Sequence, residues 1–328
     1  MIISRTPFRV SLFGGGTDLP SWLKKNYGKI FSFAIDKYCY ISVRNLNSFF
    51  DYKYAVSYYK REHSNTYQNI KHPVVKNLVK LYAKNSRLEI EHKSDLPARS
   101  GIGSSSSFTV GLLNCFSKDT QKNNYNLSKK SIHFEQNVLN ESVGMQDQIR
   151  AAYGGIGFIN MHGRKYKVKQ LKQSDEKVKL IQDSIVLVYT NLSRNASEIE
   201  KIKTKNIEKK NIVRKNMQHI YDVSCEAEKL ITSKNFNIKH IGNLLSEQWE
   251  YKKKLSKNIS NNKINDIYNL VMRQGAYGGK LMGAGSGGFL VFIGNRDLEK
   301  KINQSSKKLK TLKIKIDFWG SKKYNFKF

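Results

Sequence analysis

Ile2–Phe13 mixes apolar and basic positions and runs into Gly14-Gly15-Gly16-Thr17-Asp18-Leu19-Pro20, so the pattern predicts a strand that ends in glycine turn chemistry. A second extended run is expected within Ile30–Arg44, where Tyr38, Tyr40, Ile41 and Val43 supply β-branched and aromatic side chains. Val74, Val75, Leu78, Val79 and Tyr82 recur at helical spacing, predicting a helix over Pro73–Lys84, and Leu88-Glu89-Ile90-Glu91-His92 alternates as a strand. In Asp95–Phe116, glycine and serine precede a mostly apolar run, so the loop should open directly into a largely buried helix. Leu127–Asn140 reads as a helix with Ser128 as its N-cap. A turn at Gly144–Gln148 and a strand near Tyr153–Ile159 follow. From Arg164 to Lys179 the chain is polar without a period, and a domain boundary is placed there, giving 1–170 and 171–328. Beyond it come a strand at Ser184–Thr190, helices over Ala196–Ser233, Ile238–Lys257 and Ile264–Arg273, and a glycine-rich hairpin at Gly275–Ile293. A charged helix near Leu298–Lys310 and a last strand at Leu312–Phe318 complete an α+β chain without internal repeats.

The 328 residues, 39% of them hydrophobic, suffice for two domains with real cores, which excludes a disordered chain. Against 26 acidic residues stand 58 basic ones, a formal charge of +32 that would attract polyanions whatever the fold. The excess is scattered, with only short clusters such as Lys252–Lys254 and Lys307–Lys310. Only 12 of the 58 are Arg, the residue on which bidentate phosphate and base recognition leans. Most of the charge is therefore read as compositional background, and no specific nucleic acid is expected as a partner. Cys39, Cys115 and Cys225 are odd in number and far apart, which suggests neither a disulfide framework nor a zinc cluster, and a reducing compartment fits. The start Met-Ile-Ile-Ser-Arg lacks a basic leader with an apolar core, and no stretch approaches the roughly 20 apolar residues of a membrane span. A cytoplasmic protein without membrane association is expected; whether it forms homo-oligomers is left open.

Three segments could carry chemistry. Gly101–Ser107 offers free backbone amides at a helix start, glycines that allow close approach, and four serine hydroxyls, which together suit a phosphate and a magnesium ligand. It is not a Walker A loop, since Gly-x-x-x-x-Gly-Lys-Ser/Thr occurs nowhere in the chain. Gly283-Ala284-Gly285-Ser286-Gly287-Gly288 formally matches a dinucleotide fingerprint, but a strand follows the glycines where a helix is required. It is either a tight hairpin turn or a backbone wall beside a phosphate or substrate. Glu135 and Asp147 are two acids of the kind phosphoryl transfer needs, one on a metal and one on the acceptor hydroxyl; taken alone, they read as surface acids.

Taken together and in order, Thr6–Asp18, Pro97–Ser107 and Met282–Gly288 resemble the motifs of the kinase superfamily named after galactokinase, homoserine kinase, mevalonate kinase and phosphomevalonate kinase. The resemblance implies an N-terminal domain like the second domain of ribosomal protein S5, a C-terminal ferredoxin-like domain, and an active site in the cleft between them. It implies ATP and Mg2+ as cofactors, with the nucleotide held by Pro97, Arg99, Gly101, Ile102, Gly103, Ser104, Ser105, Ser106 and Ser107. Asp147 within Gln146-Asp147-Gln148 matches the catalytic aspartate, and Arg9 the arginine beside it that would hold it ionised. Glu135 matches the magnesium-binding glutamate, with Ser105 as the hydroxyl ligand and Ser104 and Ser106 as rivals. Substrate contacts are implied for Gly15, Gly16, Thr17, Asp18, Gly283, Gly285 and Ser286. Galactokinases carry Glu-His where this chain has Gly15-Gly16, which argues against galactose and leaves room for an exocyclic extension. Phe13–Asp18 with Gln146–Gln148 is similar to the D-glycero-D-manno-heptose 7-phosphate kinases and the kinase portion of fucokinases. That similarity implies phosphorylation of an anomeric hydroxyl to the 1,7-bisphosphate, on the route to activated heptose for surface polysaccharide. A fucokinase-like enzyme is the alternative, and a non-catalytic ligand sensor or a basic nucleic-acid-binding protein are alternatives of another class.

Overall fold

The computed structural model describes residues 1–116, 123–192 and 196–326, without the side chains of 196–198. The first half runs β1 (Ile2–Phe13), α1 (Pro20–Leu23), β2 (Tyr27–Asn45), β3 (Tyr54–Ser57), β4 (Arg61–Ser64), α2 (Pro73–Tyr82), β5 (Leu88–Ser94), α3 (Ser104–Phe116), α4 (Asn124–His133), α5 (Gln146–Tyr153), β6 (Ile156–His162) and β7 (Lys165–Gln170). The second runs α6 (Glu176–Ser184), β8 (Ile185–Tyr189), α7 (Ala196–Lys209), α8 (Asn211–Thr232), α9 (Ile238–Lys253), α10 (Asn262–Arg273), β9 (Gly278–Leu281), β10 (Phe289–Ile293), α11 (Leu298–Ser305), β11 (Lys310–Leu312) and β12 (Lys322–Asn325).

Strand β2 organises the first sheet. Its early residues Tyr27–Phe33 pair with β6, and its later residues Cys39–Asn45 pair with β5, so one long strand serves two neighbours on the same side. The sheet path is β12-β1-β2-β5-β3-β4, with the β6–β7 hairpin branching from β2. β1 touches α3, α5, α8 and α9, which is why its last eight residues are buried without the alternation of a strand wet on one face. The second sheet has the order β11-β8-β10-β9 with every pair antiparallel. In chain order these strands and their helices form β-α-β-β-α-β, the ferredoxin-like arrangement. The α+β fold of two sheets is therefore as the sequence implies.

Three local readings are corrected. The segment after β11 does not continue as a strand to Phe318. It crosses back, with Ile316 bridging to Ile35 and β12 pairing with β1 from Ile2↔Asn325 to Arg5↔Lys322. The cap of α4 is Asn123, whose Oδ1 accepts from Asn126 N at 3.0 Å. Ser128 lies inside the helix and donates back to Asn124 O at 2.7 Å, the habit of a buried helical serine. After His133 the helix widens into a π-helical turn, Phe134–Val138, which carries Glu135; such turns recur at functional sites.

Helix α5 is held from below by the fully buried Arg150. Its guanidinium donates to Gly154 O at 2.9 Å, Gly157 O at 3.1 Å and Ser32 Oγ at 3.2 Å, tying the helix to β2 and β6. Burial pushes its pKa down to about 9. This anchoring matters because the first turn of α5 carries Asp147.

Candidate active site

A cleft of about 690 Å³ opens between the two sheets. Its floor is the start of α3 with the preceding loop. Arg99, Gly101 and Gly103 all have positive φ, at 61°, 84° and 76°, so the loop folds back on itself before Ser104 begins the helix. Pro97, Arg99, Gly101, Gly103, Ser104, Ser105 and Ser106 line the cleft, and the positive end of α3 points into it. The third glycine motif braces this loop. Gly288 has φ 95°, a Cβ there would meet Ser100 O at 2.2 Å, and the next amide, Phe289 N, donates to Ser100 O at 2.9 Å. The motif forms the turn between β9 and β10, and two of its residues, Gly283 and Ala284, line the cleft.

Asp147 stands at the edge of this floor. Arg9 Nε donates to Asp147 Oδ1 and Arg9 Nη2 to Asp147 Oδ2, both at 2.8 Å, a fork-to-fork pair that fixes the plane of the carboxylate. Arg9 Nη1 also donates to Gly101 O, so the same guanidinium ties the carboxylate to the loop. A Cβ on Gly103 would lie 3.1 Å from Asp147 Oδ2, so the loop backbone and the carboxylate stand side by side. Arg9 is buried, whereas the Asp147 side chain keeps 24% exposure toward the cleft, enough to reach a ligand.

Glu135 is buried behind the serines. Ser106 Oγ donates to Glu135 Oε2 at 2.9 Å and Gln148 Nε2 donates to the same oxygen, while Glu135 Oε1 has no donor among the described residues. Burial pushes the carboxyl up to about 7; the Thr109 hydroxyl opposes the rise most, Glu141 adds to it, and Gln148 and Ser106 oppose it further. An oxygen this deep without a donor is costly unless a cation supplies the charge, and hydroxyl and carboxylate oxygens suit magnesium. The residues therefore fit the ion. It is Ser106, not Ser105, whose hydroxyl reaches Glu135; Ser105 lines the cleft one residue earlier on the helix. Among the described residues no cluster of three or more His, Cys, Asp or Glu could hold a metal, so Glu135 and a serine hydroxyl are the groups that would hold the ion here.

On the opposite wall, Asp18 accepts from Gly16 N and Gln146 N, both at 3.1 Å, and burial raises its pKa. Gly15 and Gly16 line the cleft beside it. Five of the expected contact residues do not face the cleft. Thr17 donates to Gly14 O at 2.8 Å and closes the turn. Ile102 is in the core and accepts from Arg9 N at 3.0 Å, and Ser107 donates to Pro7 O at 2.9 Å. Gly285 packs on Ile259, and Ser286 donates to Asn258 O on the outer side of the loop.

Two groups of cleft residues carried no signal in the sequence. The first is an aromatic arm: the His72 ring stacks on Phe108 at 4.7 Å, Tyr58 meets His72 edge-on at 4.9 Å, and His92 meets Phe108 edge-on at 5.0 Å. Burial lowers the pKa of His72 and pushes His92 down to about 4, so both are neutral near pH 7 and the arm suits an uncharged flat ring. The second is a set of lysines, Lys203, Lys252 and Lys280, on the wall formed by α7, α9 and β9.

The family model of the N-terminal domain of GHMP kinases matches residues 69–155, and that of the C-terminal domain matches residues 229–309. The chain is 27% identical over 320 residues to D-glycero-alpha-D-manno-heptose 7-phosphate kinase from Campylobacter jejuni, covering 92% of this chain and 91% of that one. It is 24% identical over 242 residues to a bifunctional fucokinase/GDP-fucose pyrophosphorylase from Arabidopsis thaliana, covering 71% of this chain and 22% of the relative. A crystal structure of a D-glycero-D-manno-heptose 1-phosphate kinase from Bacteriodes thetaiotaomicron superimposes with a TM-score of 0.79 at 20% identity over 100% of both chains. Among the described residues no helix is long and apolar enough to cross a membrane.

Proposed function

Because the chain belongs to the GHMP kinases, we propose that it transfers the γ-phosphoryl group of ATP to the anomeric hydroxyl of D-glycero-D-manno-heptose 7-phosphate, giving the 1,7-bisphosphate. The enzyme is a sugar kinase of the heptose-kinase type. The observation that carries the reading is the Arg9–Asp147 pair, fixed by two 2.8 Å bonds beside the start of α3 and open to the cleft.

Each wall then has a task. The amides of Gly101–Ser106 and the α3 terminus hold the nucleotide phosphates. The aromatic arm of Tyr58, His72 and Phe108 takes the base. Glu135 and Ser106 would hold magnesium, which when bound neutralises charge on the phosphate oxygens. Asp147 accepts a hydrogen bond from the attacking hydroxyl and aligns it, and phosphoryl transfer depends mainly on such positioning. Asp18, with its two backbone donors, accepts from further sugar hydroxyls, and Gly15 and Gly16 leave space beside it.

Purified protein with MgATP should release ADP with heptose 7-phosphate and not with galactose. Strong turnover of fucose would instead favour the fucokinase-like alternative, and silence across phosphorylated and free sugars would remove the kinase reading. The placement of Asp18 gives a sharper outcome. A Cβ on Gly144 would lie 1.8 Å from Asp18 Oδ2, so Gly144→Ala must displace that carboxylate. The sugar KM should rise about tenfold or more while the ATP KM stays near its parent value, with a stability loss of about 1–3 kcal/mol from the added methyl. An unchanged sugar KM would take Asp18 out of acceptor binding.

A further inference from the structure

One buried cation of the cleft has no role in the mechanism above. Lys280, on β9, is 2% exposed and lines the cleft. An ammonium so deep is costly unless it is partnered. The cleft also holds four carboxylates, Asp18, Glu141, Asp147 and Glu200, and each has its own neighbours. Asp147 pairs with Arg9, and Glu200 Oε2 holds Lys203 Nζ at 2.7 Å. Asp18 interacts with Asp147, Lys203 and Glu200, and Glu141 stands on the Glu135 side, its N donating to Glu135 O at 2.9 Å. Among the described residues, no carboxylate lies within ion-pair distance of Lys280 and no group accepts a hydrogen bond from its Nζ. The charges that act on it are Arg9 and then Lys203; burial, followed by those two cations, pushes its pKa down to about 7.

The strand geometry turns Lys280 toward the Arg9–Asp147 pair. Lys280 is opposite Val291 in the β9–β10 ladder, and cross-strand partners share a face. Val291 packs in the same core cluster as Phe8 and Val10, the neighbours of Arg9 on β1. Two bonds of 2.7 Å from Lys252 Nζ, to Leu281 O and Gly283 O, fix the strand end that follows Lys280. On the acceptor side is Lys203, since a Cβ on Gly16 would lie 3.8 Å from its Nζ. The start of α3 brings the nucleotide phosphates and Asp147 brings the acceptor hydroxyl, so the two reactants meet beside Arg9. Arg9 itself is committed: Nε, Nη1 and Nη2 all donate, to Asp147 and Gly101 O. Of Arg9, Lys203 and Lys280, Lys280 is the one whose donors are all open to a ligand.

We propose that Lys280 is a further catalytic residue, whose ammonium donates to the non-bridging oxygens of the phosphoryl group as it passes from ATP to the sugar. The proposal rests on the sugar-kinase reading and adds a residue to its chemistry. As the anomeric oxygen bonds to the γ-phosphorus, the bond to the β–γ bridging oxygen breaks and its electron pair leaves with ADP. The hydroxyl proton passes to Asp147 and from there to water. Lys280 gains and loses no proton; the incoming anion keeps it charged, and its donors meet oxygens over which the transition state spreads its charge.

Lys280→Met is the variant to make, because methionine fills nearly the same volume without the charge, and loss of a buried unpaired ammonium should not cost the fold. ADP release with MgATP and heptose 7-phosphate gives kcat and the sugar KM. Calorimetry gives the affinities for MgADP and for the β,γ-imido analogue of MgATP. The variant should lose about 30- to 100-fold in kcat with the sugar KM within about threefold. Its affinity for the analogue should fall about tenfold and that for MgADP stay within about a factor of two, because only the analogue carries a γ-phosphoryl group. A kcat within about threefold of the parent would overturn the proposal. So would a loss confined to the sugar KM, which places the ammonium on the acceptor. An unchanged ratio of analogue to ADP affinity would overturn it too, since the ammonium then does not meet the γ-phosphoryl group. If the parent releases no ADP with any sugar, the kinase reading fails, and the contrast between analogue and ADP still tests the cation by itself.

Discussion

Asp147→Asn is expected to lower turnover by about 100- to 10,000-fold while nucleotide binding persists. The carboxylate has two demands on it, the forked guanidinium of Arg9 and the attacking hydroxyl, and both need an acceptor. Asparagine offers one oxygen and one NH2 group, and either flip sets that NH2 against an Arg9 donor now 2.8 Å from the carboxylate. The amide must rotate away, and the hydroxyl loses both its acceptor and its alignment. The amides of the Gly101–Ser106 loop and the start of α3 are untouched, so the phosphates keep their site. Steady-state kcat from ADP release and the ATP Kd from calorimetry separate these effects. A variant that turns over within a few-fold of the parent would remove Asp147 from the reaction, and one that loses ATP affinity as well would mean that Asp147 holds the loop rather than the acceptor. The split is sharp because Arg9 joins both: its Nη1 bond to Gly101 O survives the substitution.

Periodicity was informative wherever one element buried one face. Val74, Val75, Leu78 and Val79 are all buried in α2, and the helix spans Pro73–Tyr82, close to the Pro73–Lys84 expected. The glycine and serine of Gly101–Ser104 do open straight into a helix whose buried face includes Phe108, Val110, Leu112 and Leu113. What the pattern could not carry were the contacts between distant segments. β7 is an edge strand of the sequence Lys-Tyr-Lys-Val-Lys-Gln, so it exposes most of its residues and reads as a polar linker. β12 is held by pairing with β1, and nothing local in Lys322–Asn325 announces a partner some 300 residues away. The helical pattern read from Ala196 to Ser233 does not mark the break at Lys210, where α7 ends and α8 begins.

The same division runs through the cleft. Residues on motifs with backbone chemistry were legible: Arg9, Asp18, Gly101, Gly103 and Asp147 are brought together around one space. Thr17, Ser107 and Ser286 belong to the same motifs but point their hydroxyls at carbonyls, since a short polar side chain beside a turn is satisfied locally. Tyr58, His72, His92 and Phe108 come from four separate stretches and share no spacing. The lysines are hidden for another reason: 46 lysines in the chain leave no way to tell the three that face inward from those that face water.

Glu135→Gln should reduce kcat with MgATP by about 100-fold or more, and it should also change how stability depends on pH. The carboxyl is raised from 4.5 to about 7 by burial, so the folded protein holds this proton more tightly than the unfolded chain does. Folding stability from this group is therefore fully present below pH 4.5 and is lost as pH climbs through 7, by on the order of 3 kcal/mol. Glutamine keeps the shape and the Gln148 and Ser106 neighbours but has no proton to lose. In chelator-treated samples, urea unfolding should show the variant gaining on the parent between about pH 5 and pH 8. Magnesium should then close that gap for the parent at about pH 8, because it favours the ionised carboxylate, and do little for either protein at about pH 5. A parent and variant that run parallel across this range, and respond equally to magnesium, would show that the buried oxygen of Glu135 serves packing rather than the ion. The thermodynamic arm stands apart from catalysis, so it tests the metal assignment even when the acceptor is not the sugar proposed.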